Sequence, residues 1–127
     1  MSDKKFATAI NCMDGRTQVP VFDWLKEYCK VDYVDMITEP GPVKILAEGK
    51  DASLVASIRK RVDISVSKHG SKVVAVVGHY DCAGNPVDKE VQLRQIKESL
   101  KNIQSWGFKV QLLGLWVDEN WKVHKTN

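Results

Sequence analysis

The chain has no apolar run approaching the roughly 18 residues of a membrane-crossing helix, so a spanning segment is excluded. Cysteine is scarce: three among 127 residues, an odd number that cannot pair completely within one chain. Metal ligation or buried thiols therefore account better for the cysteines than a disulfide framework does. Charge of one sign is also lacking. Nineteen basic residues oppose sixteen acidic ones, intermingled, for a net +3, which argues against a polyanion partner; no nucleic acid is expected. The densest basic cluster, Arg59-Lys60-Arg61, reads as a solvated helix face. Linkers, repeats and low-complexity tracts are missing. Met1-Ser2-Asp3-Lys4-Lys5 leads into a short apolar segment without the cleavage pattern of a secretory signal. Reduced thiols and no signal make a cytoplasmic location the expectation.

What remains is an ordinary soluble composition, 43% hydrophobic and 28% charged, in a length that suits a single domain over residues 1–127. Strand and helix patterns alternate. Phe6 to Asn11 is short and apolar and precedes turn-prone Asp14-Gly15, so it predicts a strand with Cys12 at its carboxyl end. From Thr17 to Lys30, Phe22, Leu25 and Cys29 recur at helical spacing, with Pro20 tolerated in the first turn; Cys29 reads as a buried, inert thiol. Tyr33 to Thr38 predicts a brief second strand closed by Pro40-Gly41-Pro42, and Val43 to Glu48 a short helix.

Beyond Gly49, an Asp51 cap and the series Leu54, Ile58, Val62, Val66 predict a long helix ending near His69-Gly70. Lys72 to Gly78 is almost continuously apolar and β-branched, as in a strand buried on both faces. Leu93, Ile96, Leu100 and Ile103 predict another helix ending at Trp106-Gly107. Lys109 to Leu115 predicts a fourth strand, and Trp121 to His124 a short antiparallel one after the Asp118-Glu119-Asn120 turn. The fold class is α/β: a mainly parallel twisted sheet of four strands plus a short edge strand, with helices on both faces. Ligands of such sheets sit beyond the carboxyl ends of the strands.

Two strings occupy that position. Cys12-Met13-Asp14-Gly15-Arg16 follows the first strand, and His79-Tyr80-Asp81-Cys82 follows the third. Together they offer two thiolates and an imidazole, the donors zinc prefers, and three protein ligands leave a fourth position open as catalytic sites do. The metal ligands expected are Cys12, His79 and Cys82, with Zn²⁺ as cofactor. Adjacent strand ends lie about 5 Å apart, so the set closes on one ion if the first and third strands are neighbours.

Cys12-x-Asp14-x-Arg16 with distant His79-x-x-Cys82, the apolar run Lys72 to Gly78 and the segment Gly114-Leu115-Trp116-Val117-Asp118 resemble the β-class carbonic anhydrases. This chain resembles a short, divergent member. In place of the family's Arg-Asn-Ala-Gly segment stands Thr38-Glu39-Pro40-Gly41-Pro42, where Glu39 alters the field over the pocket. Ala83-Gly84-Asn85-Pro86 replaces the usual start of the next helix.

The resemblance implies a zinc-dependent lyase that hydrates carbon dioxide reversibly to bicarbonate through a zinc-bound hydroxide. Asp14 then accepts a hydrogen bond from the hydroxide and orients it, and Arg16 clamps Asp14; these two are the expected catalytic residues. Relatives that lose the clamp let the aspartate ligate zinc, which closes the site. Two alternatives follow: hydrolysis of carbon disulfide or carbonyl sulfide, or a zinc-binding regulatory module with Asp14 as fourth ligand. The resemblance also implies a homodimer or higher homo-oligomer. Asp81 reads as a loop cap, and His69 and His124 as exposed end-of-element residues.

Overall fold

The computed structural model describes residues 4–127. Met1, Ser2 and Asp3, which carry part of the N-terminal reading, lie outside the described residues. The elements are β1 (Phe6–Cys12), α1 (Gly15–Cys29), β2 (Tyr33–Glu39), α2 (Pro42–Glu48), α3 (Ala52–Lys68), β3 (Val73–His79), α4 (Lys89–Gln104), β4 (Gln111–Val117) and β5 (Val123–Lys125). The strands form one sheet in the order β2-β1-β3-β4-β5, parallel except for β5, which runs antiparallel to β4. No helix among the described residues is long and apolar enough to cross a membrane.

The two faces are covered unequally. On one, Val43, Leu46, Ile58, Val62, Ile96 and Ile103 from three helices pack over Ile10, Ile37, Val74 and Val76. The other is covered chiefly by Val21 and Leu25 of α1, over Ala9, Ala75, Val77, Leu113 and Leu115. The central strands are buried on both sides, which is why Val73–His79 reads as an uninterrupted apolar run. Each fully buried Ile or Leu contributes about 1.5–3 kcal/mol of transfer free energy.

Element boundaries depart from expectation where local chemistry outweighs periodicity. Three helices start on side-chain caps: Asp14 accepts from the Arg16 amide, Asp51 from Leu54 and Asp88 from Val91. The Asp88 cap starts α4 four residues before Leu93, in a polar first turn where the apolar period is silent. β2 is not brief. It pairs with β1 over seven positions, from Phe6 with Tyr33 to Cys12 with Glu39. β4 lies two residues later than Lys109–Leu115 because Trp116 and Val117 pair with Gly78 and His79. β5 starts at Val123, since Trp121 has φ +60° and belongs to the preceding turn.

Candidate functional site

The site begins where two parallel strands separate. β1 pairs with β3 only from Thr8 with Val74 to Ile10 with Val76, although each strand pairs over seven positions with its other neighbour. The chain also reverses its direction of winding there, since β2 lies to one side of β1 and β3 to the other. This is the crevice where α/β sheets bind ligands. Cys12 ends β1, His79 ends β3, and Cys82 lies in the turn after it.

A side chain takes over where the ladder stops. The Gln92 amide accepts from the His79 N–H at 3.1 Å and donates to the His79 carbonyl at 2.7 Å, so α4 supplies a strand-like partner to the ligand's backbone. Gln92 is itself buried, which makes this two-point bond costly to remove.

The three donors converge as expected. Cys12, His79 and Cys82 are buried, their ligand atoms lie within 4.8 Å of one another, and the two Sγ atoms are 3.8 Å apart. His79 Nδ1 donates to the Tyr80 carbonyl at 2.7 Å, which leaves the lone pair on Nε2. That atom is buried without a hydrogen-bond partner. Buried nitrogens are seldom left so, and this one faces two sulfurs; the set can hold a metal ion.

Main-chain amides prepare the sulfurs for negative charge. Gly41 and Asp14 donate to Cys12, and Gly84 and Asn85 to Cys82. The Cys82 thiol donates to Cys12, pushing the Cys12 pKa down to about 4 against the opposing effect of burial. The same contact, with burial, pushes Cys82 up. Burial works against a charged His79, but the Cys12 sulfur and the Tyr80 carbonyl outweigh it and raise its pKa.

Gly41 and Gly84 bring the turn after β2 against the loop that carries Cys82. Gly41 has φ +65°, and a methyl group on it would meet the Gly84 carbonyl carbon at 2.9 Å. One on Gly84 would meet the Pro40 carbonyl carbon at 2.6 Å. Neither position admits a side chain without moving backbone.

Beside the donors, Arg16 grips Asp14 with two parallel bonds, Nε to Oδ1 at 3.0 Å and Nη2 to Oδ2 at 2.7 Å. This hydrogen bonding pulls the Asp14 pKa down to about 2 although burial opposes it, and raises that of Arg16. Asp81 departs from the expected loop cap. Its carbonyl accepts from Arg16 Nη2 at 3.1 Å and its carboxylate from Nη1 at 3.3 Å, with its own backbone at φ +57°.

Glu39 forms an ion pair with Arg61, so its charge is compensated and Arg61 is more than part of a solvated face. Cys29 is partly buried against the α1 side of the core, and burial raises its thiol pKa. His69 and His124 are exposed and bound to Asp35 and Asp118, outside the donor cluster. The residues that sequence reasoning missed are Gly41, Gly84, Gln92 and Trp121. Pro40-Gly41-Pro42 signalled a turn but not a close approach, and nothing local signals Gln92.

A family model described as "Putative carbonic anhydrase" matches residues 2–127, and the chain belongs to that family. A search of curated proteins finds no match. Among solved structures, the carbonic anhydrase from Streptococcus mutans is similar over 95% of this chain and 81% of its own, with 14% identity and a TM-score of 0.59. The carbonic anhydrase from Glaciozyma antarctica is similar over the same shares, with 16% identity and a TM-score of 0.59. At these identities the likeness shows the fold.

Proposed function

We propose that this member of the carbonic anhydrase family is a zinc lyase that hydrates carbon dioxide, with Cys12, His79 and Cys82 as metal ligands and Asp14 and Arg16 as its catalytic pair. The observation that carries the reading is the buried, partnerless Nε2 of His79 facing two sulfurs. Their spacing supports zinc: sulfurs each about 2.3 Å from one tetrahedral ion stand about 3.8 Å apart, and the Sγ separation is 3.8 Å. A zinc ion held there supplies a Lewis acid that makes water a nucleophile at neutral pH.

The chain's own residues then position the reactants. Asp14, ionised and held by Arg16, keeps one lone pair on Oδ2 free to accept a hydrogen bond from the attacking water and turn its oxygen toward the carbon of carbon dioxide. Addition forms one carbon–oxygen bond as one C=O π bond opens onto its oxygen, and one O–H proton of the water is released to solvent, giving bicarbonate. The Gly41, Asp14, Gly84 and Asn85 amides keep the thiolates charged, and the Tyr80 carbonyl keeps the proton of His79 on Nδ1. The two-point clamp supports an open site over one in which Asp14 is a fourth ligand.

Stopped-flow hydration with a pH indicator, on protein of measured metal content, tests the proposal. Activity should follow zinc content and vanish on chelation. Full zinc occupancy without hydration would overturn it and turn the test to carbon disulfide and carbonyl sulfide, read as sulfide release. The homo-oligomer implied by the resemblance, and the cytoplasmic location expected from the thiols and the N-terminal residues, belong to the same reading, and sedimentation tests the first.

A further inference from the structure

The grip of Arg16 on Asp14 is made by a side chain that is 47% exposed, where water competes for every guanidinium proton. Two edges of the guanidinium are held, by Asp14 and by Asp81. One of its faces is covered as well. The Trp121 ring lies under it, with Cζ 4.4 Å from the centroid, in the geometry of a cation–π contact.

That placement is built by the chain around it. Trp121 is an aromatic residue with φ +60°, an unusual conformation for a side chain of this size. It is fixed by a compact turn. Its own N–H donates to the Asp118 carbonyl, and the Asp118 carboxylate accepts from the amides of Asn120 and Lys122 and from His124 Nε2 at 2.7 Å. The indole packs against the apolar cluster of Val21, Leu25 and Leu115. It also approaches the ring of the metal-ligand candidate His79, with centroids 6.3 Å apart. One side chain from the β4–β5 turn therefore touches both halves of the site.

We infer that Trp121 is a positioning residue, whose indole face stacks on Arg16 and, through the guanidinium, holds the Asp14 carboxylate in its working orientation. The inference rests on the reading of Asp14 as the group that orients the attacking water. Trp121 donates no proton and binds no metal in this role. It excludes water from one face of Arg16 and fixes the plane in which the two bonds to Asp14 are made.

The test reads the Arg16 side chain directly, by nitrogen–proton NMR of the zinc-free protein. In the unaltered chain the Arg16 Nε–H should carry an upfield ring-current shift from the indole, a measurement that needs no variant. Trp121→Leu should abolish the shift and speed exchange of this proton by about twofold to fivefold, as loss of an exposed cation–π contact predicts. Trp121→Phe should restore part of both. Trp106→Leu, an equal loss from the opposite face of the sheet, should change neither.

In the zinc-loaded enzyme, Trp121→Leu should lower kcat and leave KM and metal content as they were. The inference is overturned by an unshifted Nε–H in the unaltered chain, by unchanged exchange in Trp121→Leu, or by equal acceleration in Trp106→Leu. A raised KM with kcat unchanged would overturn it too, since it would make Trp121 a substrate contact. If the zinc-loaded chain fails to hydrate carbon dioxide while the Arg16 signals behave as expected, the proposed reaction falls and the positioning of Arg16 stands.

Discussion

The two ends of the same strands bury polar groups in opposite ways. At the amino ends, Thr8 Oγ1 bonds the hydroxyls of Ser65 and Ser71 at 2.6 and 2.7 Å. Ser65 passes its proton bond to Asp35, which also holds His69 Nδ1, and Ser71 donates to the Val73 carbonyl. Every hydroxyl there has a protein partner, and the network ties α3 to the sheet. At the carboxyl ends, Cys12, His79 and Cys82 are as deeply buried, but Nε2 of His79 has no hydrogen-bond partner and faces two sulfurs 3.8 Å apart. A buried polar group is therefore no mark of a site by itself. The mark is a buried group whose bonding is left incomplete, because that deficit is what a ligand completes.

Breaking the incomplete end should have the largest effect. Cys82→Ser replaces a soft donor with a hard one and should lower zinc affinity by more than the roughly 100-fold that loss of an outer hydrogen-bond partner brings. Competition with a chromophoric chelator checks this, and an unchanged affinity would remove Cys82 from the ligand set.

Next in size comes the clamp. Arg16→Ala should keep the metal yet lose hydration by about 10- to 100-fold, the scale of an orienting partner. The pH dependence follows from the lowered Asp14 pKa. In the folded chain it is about 2 against an ordinary value of 3.8, so the clamp's contribution is present above pH 4 and is lost as pH falls through 2. In Arg16→Ala the Asp14 carboxyl should titrate near its ordinary value, which carbon-detected NMR can follow. Loss of zinc along with activity would mean that Arg16 builds the site and does not merely orient Asp14.

The satisfied end should answer differently. Thr8→Val removes the bonds of Thr8 to the Ser65 and Ser71 hydroxyls, which keep Asp35 and the Val73 carbonyl as acceptors, and should cost about 0.5–1.5 kcal/mol in denaturant unfolding while metal affinity is unchanged. His69→Ala removes an exposed bond to Asp35 and a ring stacked on Phe6, and should cost about 1 kcal/mol or less. If Thr8→Val impaired zinc binding as much as Cys82→Ser, the contrast between the ends would be false.

Much of this contrast was readable in the residues. Apolar runs ending in Cys12 and His79 placed both at the carboxyl edge of one sheet, because strand burial is written in local composition. The adjacency of β1 and β3 then did what the spacing of the two strings required. Less legible were the features that depend on contacts distant in sequence. Gln92 reads as an ordinary polar helix residue, yet it supplies the missing ladder to His79. Trp121 reads as the start of a strand, and only its φ of +60° turns the indole onto Arg16. Asp81 sits inside a recognisable string, but its role depends on an arginine from the first turn of α1.

The touching main chains at Gly41 and Gly84 have a consequence for where Cys82 can sit. With no side chain between them to compress or rotate, the turn after β2 and the loop that carries Cys82 rest backbone on backbone. A methyl group on either glycine would have to pry the two main chains apart, so the seat of Cys82 is a gap width set by the absence of two methyl groups.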